Sequence, residues 1–243
     1  LQERDFSYML ELARTQIGAM ADVLDVNVGY PGVDDEALLP EAVIALQDNF
    51  DIPLCLDSPN PKAIEAALKV AKGKCLINSV NAEEASLQKL LPVAREYGAA
   101  IIGLVLDDHG ITNDPGKRLR IAEKIIERAV RAGIKEEDVI IDPMAMAVSA
   151  DPNSCRVTLE TIKLVHDRLG HNITQGASNI SFGLPNRENI NNAYMAMSIM
   201  CGLTCPIANP EKISGLVRAA DLVLARDDYA IRFIEHYQAT KPS

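Results

Sequence analysis

Residues 99–107, AAIIGLVLD, are the most continuous apolar run in the chain, and they end on a carboxylate. A strand wet on one face alternates apolar and polar residues. A short run that is apolar throughout fits a strand covered on both faces, as in a parallel sheet flanked by helices. The same grammar repeats on either side. Toward the N-terminus, residues 74–80 (KCLINSV), 52–58 (IPLCLDS) and 23–28 (VLDVNV) read as strands. Toward the C-terminus, so do 139–144 (VIIDPM), 173–181 (ITQGASNIS) and 205–209 (CPIAN).

Helical spacing fills the intervals. Residues 5–20 carry Phe6, Met9, Leu10, Ala13 and Ile17 on one face. Further helices are expected over 35–47, 61–71, 82–97, 119–132, 154–169, 189–201 and 211–237, the last broken near Asp227. Pro61 suits a first helical turn, where its missing donor is not needed. Strands separated by helices make right-handed βαβ units and a parallel sheet. Seven strands are spread evenly without a linker, and the chain opens directly on a helix. The expected fold is α/β, a (β/α)8 TIM barrel whose first strand is missing from the N-terminus. Residues 1–243 would form a single domain, since such barrels run to about 250 residues. A doubly wound sheet is the alternative, but no G-x-G-x-x-G follows the first strand.

Composition narrows the function. The 243 residues are 48% hydrophobic and 24% charged, which is enough apolar material for one large core. Lys and Arg number 24 against 34 Asp and Glu, a formal charge of -10 with no basic cluster. Nucleic acid and anionic membrane are therefore not expected partners. Aromatics are 4% with no Trp, which leaves no stacking platform for single strands. Five scattered Cys suit reduced thiols in a cytoplasmic protein, and Cys201-x3-Cys205 finds no second pair or His to complete a zinc site. No apolar run reaches the roughly 18 residues of a membrane span.

In such barrels chemistry sits at the C-terminal strand ends. Those ends carry Asp25 and Asn27, Asp57, Asn78 with Asn81, Asp107 and Asp108, Asp142, Ser178 and Asn179, and Asn209. Carboxylates and carboxamides share one rim with almost no cation among them, unlike a phosphate site. A hard-metal site would need oxygen ligands that the sequence does not bring together, so no bound metal is expected. Each Asp taken alone is an ordinary turn or cap residue, and Asp57 stands a few residues before a helix. Repetition on successive strands points elsewhere. Asp and Asn with apolar neighbours suit a flat neutral heterocycle: a carboxylate accepts two bonds from an amidine-like edge, and an amide matches a lactam edge. The aminopyrimidinone ring of a pterin presents both. Gly176, Ala177 and Ser178 leave room for such a ring to lie against backbone.

DVNVG, LCLDSPN, LINSVN, IIDPM and GASNISFGLPNR, in this order and spacing, resemble the pterin-binding barrel family across essentially the whole chain. Within it they are similar to the methyltetrahydrofolate:corrinoid protein methyltransferases, such as the corrinoid iron–sulfur protein methyltransferase and the folate domain of cobalamin-dependent methionine synthase. The resemblance implies that Asp57, Asn78 and Asp142 hold the pterin ring, and that Asn179 lies near the methyl-bearing nitrogen. Gly176 and Ser178 would shape the floor, with Asp25, Asn27 and Arg187 in support. Asn179 and Asp142 would be the catalytic pair. Tetrahydrofolate or its methyl form is the implied substrate, cobalamin the cofactor of a partner corrinoid protein, and a homodimer the implied assembly. Family members usually begin on a strand with a GERIN-like sequence, which is absent here. Dihydropteroate synthase is the alternative within the family. Its Thr-Arg after the first motif is replaced by Val28-Gly29-Tyr30-Pro31-Gly32, and its late Lys and S-x-R segment are missing around Ala177-Ser178-Asn179. A folate-binding subunit without turnover is the other alternative.

Overall fold

Five parallel strands follow one another in sequence order in a computed structural model that describes residues 5–30 and 32–240. They are β1 (Leu24–Asn27), β2 (Leu54–Asp57), β3 (Leu76–Asn81), β4 (Ala100–Leu104) and β5 (Val139–Asp142). Two more, β6 (Thr174–Gly176) and β7 (Cys205–Ile207), pair with each other in parallel, and a bridge between Ile141 and Ile173 joins them to β5. Seven strands in order form a wall bent toward a cylinder. Among the described residues β1 pairs only with β2 and β7 only with β6, so the barrel is open along that seam. No strand precedes β1 among the described residues.

Helices cover the outside: α1 (Ser7–Gly18), α2 (Asp35–Asn49), α3 (Pro61–Val70), α4 (Glu84–Glu96), α5 (Pro115–Ala132), α6 (Ser154–Leu169), α7 (Arg187–Cys201), α8 (Pro210–Val223) and α9 (Ile231–Thr240). The strand faces explain why. In β1, Leu24 and Val26 are buried and face the helices, while Asp25 and Asn27 are exposed toward the barrel interior and rim. Leu39, Ala42 and Val43 of α2, Ile64 of α3 and Ile125 of α5 are fully enclosed against the sheet. The Leu, Val and Ile side chains among them each contribute about 1.5–3 kcal/mol by leaving water. Among the described residues no helix is long and apolar enough to cross a membrane.

Two boundaries differ from expectation, each for a local reason. Residues 173–181 are not one strand: β6 stops at Gly176, and Ala177–Ser181 coil into a 3-10 turn. The Ser181 hydroxyl and the Arg187 guanidinium both donate to the Ser178 carbonyl, offering that backbone an alternative to the ladder. The helix expected from residue 119 begins at Pro115, because Asp114 caps it by accepting from the Lys117 amide. The break near Asp227 is present. The Asp227 carboxylate accepts from the Arg232 and Phe233 amides, so it starts α9 as α8 ends at Val223. In the segment over residues 28–32, Pro31 lies outside the described residues.

Candidate functional site

The site is built on the ends of β1, β2 and β3. Asn27 is in register with Asp57, and Asp57 with Asn78, so the three side chains form one row at the top of the sheet. One layer below, Asp25 is in register with Cys55. Two hydrogen bonds knit the layers: the Asn27 amide donates to Asp57 Oδ2 at 2.7 Å, and the Asn78 amide to Asp25 Oδ1 at 3.2 Å. The Asn27 oxygen also accepts from the Gly29 amide at 2.8 Å, which fixes which end of its carboxamide faces Asp57.

Asp57 could have been a helix cap, and the structure assigns that work to its neighbours. Asn60 caps α3 by accepting from the Lys62 amide. Ser58 and Asn60 both donate to the Asp35 carboxylate of α2, at 2.7 and 3.0 Å. Among the described residues the Asp57 carboxylate keeps one protein donor, Asn27. Burial pushes its pKa up, the Asn27 amide pulls it partly back, and the charge of Asp25 adds to the rise. Cys55, below it, is buried and held well above the ordinary thiol value by desolvation and by Asp25.

Asp142 stands at the end of β5, opposite Leu104. Register carries the row of Asn78 through Ile102 to Ile140, so Asp142 is two residues above that row on the same face. It is not hydrogen-bonded to the β1–β3 group. At 8% exposure it is buried, and desolvation raises its pKa from 3.8 to about 7, against the opposing pull of the Met144 amide and the Arg118 guanidinium. A carboxyl that titrates near neutrality is rare away from functional sites.

Gly176, Ser178 and Asn179 face Asp25 across the interior. Together with Cys55 and Thr174 they line a cavity of about 610 Å³ that reaches the open seam. The Asn179 carboxamide is exposed, with no side-chain hydrogen bond among the described residues. A Cβ on Gly176 would stand 3.0 Å from Asn179 Nδ2, so the missing side chain leaves that amide its place. Arg187 is behind the turn rather than in the cavity: Nε donates to the Ser181 hydroxyl and Nη2 to the Ser178 carbonyl, both at 2.9 Å. It holds the turn that carries Asn179.

Other rim residues bond to local backbone, and one of them, Asn209, also lines the cavity. Asn209 caps α8 through the Glu211 amide, Asn81 accepts from the Glu83 amide, and Asp107 accepts from the His109 amide. All five cysteines are free. Among the described residues no three His, Cys, Asp or Glu side chains converge as a metal-binding group. The sequence reading missed Arg118, which is fully buried on α5 beside Asp142. Its signal was present: Arg118 occupies the same stripe as Ile121, Ala122, Ile125 and Ala129, where a cation needs a reason.

Residues 1–209 match the family described as pterin binding enzyme. The methylcorrinoid:tetrahydrofolate methyltransferase of Eubacterium limosum is 28% identical, over 99% of this chain and 91% of its own length. The methionine synthase of Mycobacterium tuberculosis is 30% identical over 93% of this chain, which spans only 21% of that longer protein. Among solved structures, Yersinia pestis dihydropteroate synthase with a pterine–sulfa conjugate superposes with a TM-score of 0.75 at 18% identity, covering 91% of this chain and 90% of the other. The Coxiella burnetii dihydropteroate synthase in complex with pteroic acid gives 0.69 at 17% identity, over 92% and 87%. At that identity the likeness establishes the fold alone.

Proposed function

The chain belongs to the pterin-binding enzyme family, and from that premise we propose that it moves a methyl group between methyltetrahydrofolate and the cob(I)amide of a separate corrinoid protein. The observation that carries this reading is the match, along nearly the whole of both chains, with a methylcorrinoid:tetrahydrofolate methyltransferase. The dihydropteroate synthase structures share the fold and carry no argument about the reaction.

In this reading Asp57 and Asp142 accept from the N–H groups of the aminopyrimidinone ring, and Asn78 pairs with its lactam edge. The geometry that supports it is a polar row set among apolar neighbours, with Asp57 taking one donor among the described residues where a carboxylate can take about four. Two desolvated carboxyls are costly until a ligand supplies donors, so their burial becomes binding energy and selectivity for a ring rich in N–H. Asp142, half ionised near pH 7 before binding, is drawn to the carboxylate by those donors.

The partner's corrinoid supplies the two-electron nucleophile. The chain's own task is to make the ring nitrogen a workable leaving group, because an amine that departs with its electron pair builds negative charge. The Asn179 amide donates a hydrogen bond to that nitrogen, one that strengthens as basicity grows in the transition state. Asn cannot act as a titrating acid, so the proton that the departing nitrogen takes up comes from solvent, while Asp142, ionised against the ring, stays an acceptor. Gly176 keeps the space that the amide needs, and Arg187 keeps the turn in place. A homodimer belongs to the same reading, and its mass in solution would test it.

The experiment is anaerobic incubation with methyltetrahydrofolate labelled in its methyl group and excess cob(I)alamin. Protein-dependent transfer of the label to the corrinoid supports the reading. Folate binding without transfer would replace it with a non-catalytic folate-binding subunit. Absence of folate binding would sink both.

A further inference from the structure

Among the described residues Arg118 is the one large cation that the fold encloses completely. Nε donates to the Thr112 carbonyl at 2.7 Å, and Nη1 to the Pro143 and Met144 carbonyls at 2.7 and 3.2 Å and to the Thr158 hydroxyl at 3.3 Å. Thr158, on α6, also contacts the Met144 carbonyl at 3.1 Å. These bonds converge on the turn that follows Asp142. Met144 in that turn has φ +63°, a left-handed backbone that a side-chain-bearing residue adopts only when its surroundings hold it there. Its amide donates to Asp142 Oδ1 at 2.7 Å. The guanidinium thus acts on the carboxylate both through a clamped backbone turn and as a nearby charge.

The same polar chain continues behind the Asn179 turn. The Thr158 hydroxyl lies against that of Tyr194, a fully buried residue of α7. Tyr194 donates to Gln175 Oε1 at 3.0 Å, and Gln175 Nε2 donates to the Ser198 hydroxyl at 3.1 Å. Gln175 lies in β6 between Thr174 and Gly176 and is fully buried. One buried network therefore backs both the Asp142 turn and the strand that leads to Asn179.

We propose that Arg118, with Thr158, Tyr194 and Gln175, is a buried brace that sets the Asp142 carboxylate against the Asn179 turn, and that Arg118 is a positioning residue for ligand binding by Asp142. This rests on the reading of Asp142 as the acceptor for the pterin edge. A buried cation is a poor stabiliser compared with an apolar residue of equal volume, so its presence here has to be explained by what it holds in place. Two ends of a hydrogen-bonding site must be fixed to within a fraction of an ångström; Nη1 holds both carbonyls of the Asp142 turn while Nε of the same rigid plane is anchored on the Thr112 carbonyl, which a single point charge cannot do at once.

The charged group acting on Asp142 is Arg118 from α5; the neighbouring strands, Ala100–Leu104 and Thr174–Gly176, carry no charged residue. Arg118 favours the ionised form, so its removal must carry the Asp142 titration upward. The test measures tetrahydrofolate affinity from pH 5.5 to 8.5 in the wild type, Arg118→Met, Arg118→Lys and Asp142→Asn. Arg118→Met is expected to bind at least tenfold more weakly, with the limb on which affinity rises moved to higher pH. Arg118→Lys, which keeps the charge and loses the fork, is expected to bind several-fold more weakly with that limb in place. Affinity and limb unchanged in Arg118→Met, with only its melting temperature lowered, would overturn the brace and leave a packing role. Should Arg118→Met not fold, wild-type affinity in Arg118→Lys would overturn it alone. Wild-type affinity in Asp142→Asn would instead overturn the reading of Asp142 on which the proposal rests.

Discussion

Replacing Asp142 by Asn should stabilise the free protein at neutral and alkaline pH while costing it its ligand. The carboxyl is buried, and its pKa rises from 3.8 to about 7 in the fold. The protonated form is thus the one the fold prefers. The stability it contributes is complete below about pH 4, is lost progressively as pH rises to 7, and changes little beyond. At about 1.4 kcal/mol for each pH unit, the ionised group costs the folded state about 4 kcal/mol at pH 8. Asn has the same shape, can still accept from the Met144 amide, and carries no charge to bury. Between pH 5 and 8 the wild type should therefore lose about 2.5 kcal/mol that the variant keeps. For a chain of this size that is roughly 5–10 °C of melting temperature. Thermal melts of both proteins without ligand, at pH 5, 6, 7 and 8, would show the curves diverging as pH rises. Saturating tetrahydrofolate should raise the wild-type curve, by about 2.7 kcal/mol at a hundred times Kd, and leave the variant nearly unmoved. Parallel curves across that range would mean that Asp142 titrates as an ordinary carboxylate, and the argument from its burial would fail.

Asn179→Ala should slow methyl transfer by a factor equivalent to about 2–4 kcal/mol while folate affinity changes little, as single-turnover rates would show. Gly176→Ala should lower the same rate by a smaller factor without a large change in melting temperature. Its backbone, at φ -72°, accepts a side chain, whereas the new Cβ would crowd Asn179 Nδ2 at 3.0 Å. Gly202→Ala should do the reverse. Its φ of +118° and a Cβ only 2.5 Å from the His166 ring predict a loss of roughly 2–4 kcal/mol in a melt. That residue ends α7 at the far end of the barrel from the rim, so the transfer rate measured well below the melting temperature should be unchanged.

The strands were legible because burial on both faces leaves apolar runs such as AAIIGLVLD, and the helices because Pro and Asp mark their starts. The residues after Gly176 were not, because their turn is held by Arg187, which comes six residues after the turn ends and bonds it only once the chain folds back. Caps and site residues share the same alphabet. Asp57 and Asn209 both stand between a strand and a helix, yet Asn60 and Ser58 take over the turn beside Asp57, while Asn209 caps α8 itself. Only three dimensions separate the two cases. Arg118 was visible as a cation on an apolar stripe, but its partners are carbonyls 25 and 26 residues away that no pattern announces.

The most direct measurement is the anaerobic absorption spectrum of wild-type protein mixed with methyltetrahydrofolate and cob(I)alamin, followed in time beside Asn179→Ala. The account predicts conversion of the corrinoid to its methylated form that depends on the wild-type protein and is slowed in the variant by the factor given above. Conversion equally fast in the variant would contradict the role of Asn179, and no conversion by a wild-type protein that binds the folate would contradict the methyl-transfer reading itself.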